Sequence, residues 1–160
     1  MPSDIYWIDA PYGPRLAIMA RPRAGDWLED EVDYWQRSGI ETVVSLLEQD
    51  EVRDLQLEDE RELCVQNGIA FFSFPIRDRG LPEDRAAALR FARELAGSDK
   101  PIAIHCRAGI GRSSLMAAAI LIETGIPAET ALRAIATARG LQVPDTDAQR
   151  DWILDLTRQS

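Results

Sequence analysis

The sequence predicts an α/β domain with a central, mostly parallel (mixed) sheet of about five strands flanked by helices. Three observations carry this reading. Short apolar runs of strand length alternate with longer segments whose apolar residues recur at helical spacing. One apolar run, at 102–105, passes directly into a glycine-containing loop and then a helix, as strands do at the carboxyl edge of an α/β sheet. The chain has 160 residues, 46% apolar and 28% charged, enough for one hydrophobic core, so residues 1–160 are read as a single domain.

The elements follow in order. Residues 5–7 and 16–19 are short strands, separated by the turn-rich Ala10-Pro11-Tyr12-Gly13-Pro14. A helix fits 27–38. Asp26 can cap it with Glu29 three residues on, Leu28, Val32 and Trp35 share one face, and Gly39 ends it. Residues 42–47 read as a buried strand. The acidic stretch 48–62 reads as a solvated loop and helix face. A helix over about 58–67 is closed by Gly68, with Cys64 on its core side. A strand at 70–74 ends at Pro75. The helix over 82–96 places Ala88, Phe91, Ala92 and Leu95 on one face. The segment 113–124 is apolar nearly all round, which predicts a buried helix, and two more helices fit 127–138 and 147–157.

Composition narrows the function. A net charge of −9 argues against a nucleic-acid partner, although it leaves room for a small basic pocket. Two cysteines and one histidine are too few for a disulfide scaffold, and they cannot complete a four-ligand zinc site without carboxylates. No cofactor or metal is expected. The N-terminus has neither a basic start nor an apolar run, and no stretch has the length of a membrane span. These features predict a cytoplasmic protein with no membrane partner, in which a reactive thiol can persist.

The informative segment is Ile102-Ala103-Ile104-His105-Cys106-Arg107-Ala108-Gly109-Ile110-Gly111-Arg112-Ser113-Ser114. The five residues between Cys106 and Arg112 can curl around one tetrahedral anion. Gly109 and Gly111 can take unusual backbone angles that let several N–H groups point inward. The helix beginning at Ser113 directs its positive end at the same point. Arg112 offers a planar fork to two phosphate oxygens, a geometry lysine lacks. The field that binds phosphate also favours a thiolate, so Cys106 is expected to be an ionised nucleophile at neutral pH. Ser113 can donate to the sulfur and help it leave. An inert buried thiol on an ordinary α/β turn would not require this combination.

His105-Cys106-(five residues)-Arg112-Ser113 resembles the signature loop of the cysteine-based protein tyrosine phosphatases, and residues 5–156 resemble the compact dual-specificity branch of that superfamily. The resemblance implies a dual-specificity phosphatase-like fold and a metal-independent reaction through phosphocysteine at Cys106. Residues Arg107, Ala108, Gly109, Ile110, Gly111 and Arg112 would form the phosphate-binding loop. It implies that His105 tunes Cys106 through hydrogen bonds, the alternative being a packed strand-end residue. It also implies a general acid on a loop one strand upstream. Asp78 in Phe74-Pro75-Ile76-Arg77-Asp78-Arg79-Gly80-Leu81-Pro82 fits that place, with Asp84 as the other candidate. Val143-Pro144-Asp145-Thr146-Asp147-Ala148-Gln149 resembles the family segment whose glutamine positions water, but Thr146 and Gln149 read equally as a capping box. Arg107 could face solvent, a carboxylate or the substrate. The deep tyrosine-recognition loop of the classical members is not evident, which predicts a shallow cleft.

The expected substrate is a phosphorylated protein carrying phosphotyrosine and in addition phosphoserine or phosphothreonine. A phosphoinositide, nucleotide or sugar phosphate is the alternative. A rhodanese-type sulfur carrier would not require Asp78, and a phosphate-binding module without turnover would not require Cys106, Arg112 and the acid together.

Overall fold

The computed structural model describes residues 3–158. Five strands form one sheet in the order β1-β2-β5-β3-β4: β1 (Tyr6–Ile8), β2 (Leu16–Met19), β3 (Thr42–Ser45), β4 (Ala70–Ser73) and β5 (Ile102–His105). Only β1 runs antiparallel, joined to β2 by the predicted turn; the other neighbours are parallel. Parallel neighbours need crossovers, and the helices supply them. These are α1 (Asp26–Arg37), α2 (Gln49–Asp54), α3 (Glu60–Gln66), α4 (Arg85–Ala96), α5 (Arg112–Glu123), α6 (Ala128–Arg139) and α7 (Asp147–Arg158).

Strand alternation sorts the core into two layers. Leu16, Ile18, Ile102 and Ile104 pack toward the helices that follow β4, while Ala17, Met19 and Ala103 pack with Leu28, Val32 and Trp35 of α1 and Cys64 of α3. The helix α5 is buried from Arg112 through Leu121; the apolar run from Leu115 accounts for most of it, and the polar Arg112, Ser113 and Ser114 are buried with it at the loop end. β5 lies at the centre, with β2 and β3 on either side and Met19, His105 and Ser45 in register. The loop after β5 therefore leaves the sheet at the crevice where α/β folds bind ligands. Trimming Ile104 to Ala would cost about 2–5 kcal/mol and loosen the strand that presents Cys106.

Several expectations need correction. Asp26 does not cap α1. Gly25 holds the N-cap with a φ of 64° and no side-chain bond, so the helix starts at Asp26, whose carboxylate sits in the first turn. Residues 46–47 continue buried beyond β3 but leave the ladder, and β1 is shifted by one residue from the predicted strand. The acidic stretch 48–62 is not merely a solvated face. It contains the short helix α2, and both Glu51 and Glu60 are buried. Among the described residues no helix is long and apolar enough to cross a membrane.

Candidate active site

The loop from Cys106 to Arg112 is built by disposing of its carbonyl groups. A buried backbone carbonyl needs a donor. Here five successive carbonyls, from His105 to Gly109, each meet a donor, two of them on the exposed residues Arg107 and Ala108. The carbonyl of His105 accepts from Leu46 N (3.0 Å), and that of Arg107 accepts from Arg21 N (3.2 Å). The His105 ring lies 3.3 Å from the Cys106 carbonyl through Nδ1. Arg139, at the end of α6, donates from Nε to Gly109 O (3.1 Å) and from Nη2 to Ala108 O (3.3 Å). With these carbonyls engaged, the loop's peptide N–H groups are the donors an anion cradle would use.

The two loop glycines serve different needs. Gly109 has a φ of 71°, and a Cβ there would lie 2.6 Å from the Met19 carbonyl carbon. It meets both conformational and spatial demands. Gly111 has an ordinary φ of −84°, so the expected unusual backbone angle is absent. It is small because a Cβ would lie 2.9 Å from both Asp145 Cβ and Gln149 Oε1.

Cys106 lies on the floor of the loop, 2% exposed. Ser113, in the first turn of α5, donates from Oγ to Cys106 Sγ at 3.1 Å. Arg112 is also buried, and its fork is pre-set. Nη1 and Nη2 donate to Glu51 Oε1 and Oε2 at 2.7 and 3.0 Å. Nη1 also donates to Ile76 O at 2.9 Å, and Nη2 to Asp78 Oδ1 at 3.2 Å. Among the described residues no protein acceptor meets its Nε, which leaves that donor for a ligand. Burial works against the Arg112 charge. The Glu51 hydrogen bond and the charges of Cys106, Glu51 and Asp78 outweigh it and hold the guanidinium above its usual pKa. Burial would raise the Glu51 carboxyl, but bonds from Arg112, the Glu48 amide and Arg107, with the Arg112 charge, hold it below its ordinary value.

Asp78 and Asp84 separate clearly. Asp78 stands half-exposed beside Arg112, over the loop. Asp84 is the N-cap of α4, where Oδ1 accepts from Ala87 N at 3.0 Å. Gln149 is fully buried between two loops. Its Oε1 accepts from the Asp145 and Thr146 amides while Thr146 Oγ1 accepts from Gln149 N, so the capping box is present. Its Nε2 donates to Gly80 O at 3.1 Å, tying the Asp78 loop to the start of α7. Arg79, held at a φ of 59°, approaches Asp145 at 3.7 Å and braces the same junction. Arg107 is half-exposed with Nε 3.4 Å from Glu51 Oε2. His105 is fully buried, and its Nε2 lies 2.6 Å from Glu60 Oε2.

Cys64 packs in the core layer on the α1 side of the sheet, whereas Cys106 belongs to the other layer, and both thiols are free. Burial and, less strongly, the Glu60 charge push the Cys64 thiol well up. Among the described residues, no group of three or more His, Cys, Asp or Glu is placed to hold a metal ion.

Glu51, Glu60, Arg21 and Arg139 were not singled out from the sequence. Leu57, Glu60 and Cys64 share the i, i+3, i+7 spacing of an inward face, which was the available signal for Glu60. Nothing comparable marks Glu51 or the two arginines.

A buried thiol on a glycine-containing loop, with a pre-set arginine fork and a hydroxyl on the sulfur, is the donor set of a cysteine-dependent phosphatase. Residues 17–126 match the family model described as "Tc-R-P: Polymorphic toxin system, DSP-PTPase phosphatase", and the chain belongs to that family. Cyclin-dependent kinase inhibitor 3 of Rattus norvegicus is 27% identical over 131 residues, 79% of this chain. The aligned region is 61% of the rat protein's length. The crystal structure of kinase associated phosphatase, with its catalytic cysteine substituted by serine, superposes with a TM-score of 0.86 at 22% identity, covering 99% of this chain and 96% of that one. PTPMT1 in complex with PI(5)P gives a TM-score of 0.73 at 20% identity, covering 90% of each chain.

Proposed function

We propose that the protein hydrolyses phosphate monoesters on proteins, phosphotyrosine first and phosphoserine or phosphothreonine in addition, through a phosphocysteine intermediate on Cys106. The observation that carries this reading is the engagement of the successive carbonyls of residues 105–109, which leaves the loop amides as free donors beside a buried thiol that accepts from Ser113.

The phosphoryl group binds the loop amides and the Arg112 fork, displacing Asp78 from the guanidinium. Cys106 Sγ attacks phosphorus in line. The S–P bond forms as the bond to the ester oxygen breaks, and Asp78 gives that oxygen its proton. Water then attacks phosphorus, and the S–P bond breaks. The Asp78 carboxylate takes the water proton, and the departing thiolate accepts the Ser113 hydrogen bond. Without the acid the oxygen must leave unprotonated, at a cost of ~10²- to 10⁴-fold. Gln149 acts by tying the Gly80 loop to the start of α7 and by packing against Gly111, so that water meets a loop of fixed shape.

A non-protein ester, such as a phosphoinositide, is the second reading. It is favoured by the half-exposed Arg107 at the rim, which could take an additional phosphate. Phosphate release from phosphotyrosine, phosphothreonine and soluble phosphoinositide substrates, each with a Cys106→Ser control, decides between them. Preference for the phosphopeptides supports the proposal, and turnover of the inositide alone overturns its substrate assignment.

A further inference from the structure

The connection between α6 and α7, residues 140–146, runs beside the catalytic loop and is tied to it at both ends. At its start, Arg139 donates to the carbonyls of Ala108 and Gly109. At its end, Asp145 and Gln149 close on Gly111, where an added Cβ would lie 2.9 Å from each. Gln149 accepts from the Asp145 and Thr146 amides and donates to Gly80 O, so this end is also joined to the loop that carries Asp78. Between the two ties lies an open depression of about 400 Å³. Its apolar lining is Ile110 from the catalytic loop with Leu141, Val143 and Pro144 from the connection. Val143 belongs to the core and Ile110 packs partly against it, while Leu141 stays 38% exposed. The charges at the edge balance. Asp145, Asp147 and Arg150 line it, and Arg79 approaches Asp145 at 3.7 Å. An apolar surface with no net charge around it attracts an uncharged apolar group rather than a second phosphate.

We infer that this depression receives an aliphatic side chain flanking the phosphorylated residue, within two positions of it, and so selects phosphoproteins with such a residue beside the phosphosite. The inference rests on the proposed hydrolysis of phosphoproteins and names the sequence context that the same site takes. The phosphate occupies a loop whose own residue, Ile110, lines the depression, so the two sites are continuous. Successive Cα atoms of an extended peptide are about 3.8 Å apart, which brings a neighbouring side chain to that lining. Because the connection is held at both ends, its shape is set before substrate arrives and little ordering is spent on binding. A phosphoinositide headgroup carries only hydroxyls and further phosphates around its ring and gains nothing there.

The test uses the whole chain and a phosphotyrosine peptide with serine at the two positions on either side. Four further peptides each carry one leucine at one of those positions. In the wild type at least one leucine peptide should exceed the serine peptide in kcat/KM by about tenfold, the low end of what a methylene is worth in an enclosed pocket, because this one is open. The gain should lie mainly in KM. The ratio of leucine to serine peptide cancels any loss that a variant inflicts on all substrates. Leu141→Asp should abolish the preference, and Leu141→Met should keep it. No leucine position that raises kcat/KM, or a preference of the same size in Leu141→Asp, overturns the inference. If the peptides are inert while a soluble phosphoinositide is hydrolysed, the phosphoprotein assignment falls and the inference with it. p-Nitrophenyl phosphate isolates the deeper failure: if the wild type releases no phosphate from it, or Cys106→Ser still does, the phosphocysteine reading fails instead.

Discussion

Glu51→Ala removes the carboxylate that holds the Arg112 fork. Two hydrogen bonds at 2.7 and 3.0 Å disappear, together with the weaker contact to Arg107. Arg112 remains buried, with the carbonyls of Ile76 and Leu46 and the half-exposed Asp78 as its remaining acceptors. Breaking a buried ion pair by deleting one member typically costs about 3–5 kcal/mol. The surviving acceptors, and solvent reaching the mouth of the loop, place this case near about 3 kcal/mol. Unfolding entropy of about 2.1 cal/mol/K per residue over 160 residues converts this to a fall of roughly 9 °C in melting temperature. Glu51→Gln keeps the shape and one acceptor, and should lose less. The fork is also freed to wander, which should lower kcat/KM by up to about a hundredfold. The sign of the pH dependence follows from the lowered Glu51 value. Its contribution is complete above the ordinary value of 4.5 and is lost as pH falls through the lower folded value. Wild type and Glu51→Gln should therefore converge in stability in that acid range. Thermal unfolding by circular dichroism from pH 3 to pH 8 reads all of this. A melting temperature for Glu51→Ala within about 2 °C of wild type at neutral pH would refute the reasoning.

Asp78→Ala should flatten the alkaline limb of the pH–rate profile and damage phosphopeptide hydrolysis far more than that of an activated aryl phosphate. Asp84→Ala should keep the profile and instead lose about 1 kcal/mol of stability as α4 loses its cap; leaving-group dependence in Asp84→Ala alone would move the acid. With a thiol reagent at pH 6, Cys106 should label much faster than Cys64, and vanadate should protect it; equal rates would remove the activated thiolate. Arg139→Ala frees the carbonyls of Ala108 and Gly109, and should weaken vanadate inhibition while leaving the Asp78-dependent pH limb in place.

The sequence made the strand–loop–helix at 102–114 legible because its chemistry lies in one continuous stretch. The place of Asp78 beside Arg112 was legible because the resemblance puts a carboxylate on a loop one strand upstream. The carboxylates were harder. Glu51 and Glu60 lie in a run, 48–62, where ten of fifteen residues are charged, so the sequence pattern cannot tell a solvated glutamate from a buried one. The difference is made by Arg112 and His105, which arrive from β5 and α5, far along the chain. The hold on the loop carbonyls was invisible in the same way. Two of its donors, Arg21 and Arg139, come from just beyond β2 and from the end of α6. The role of Gly111 was misjudged for a spatial reason, since the constraint is the approach of Gln149 and not a backbone angle.

The central claim is a covalent bond between phosphorus and Cys106. Wild-type protein mixed with a ³²P-labelled phosphopeptide and quenched in denaturant within a turnover should carry label on the peptide containing Cys106. The label should accumulate further when the hydrolysis of the intermediate is slowed by Ser113→Ala, and it should be absent from Cys106→Ser. Phosphate release with no label at Cys106, or with label retained in Cys106→Ser, would contradict the account.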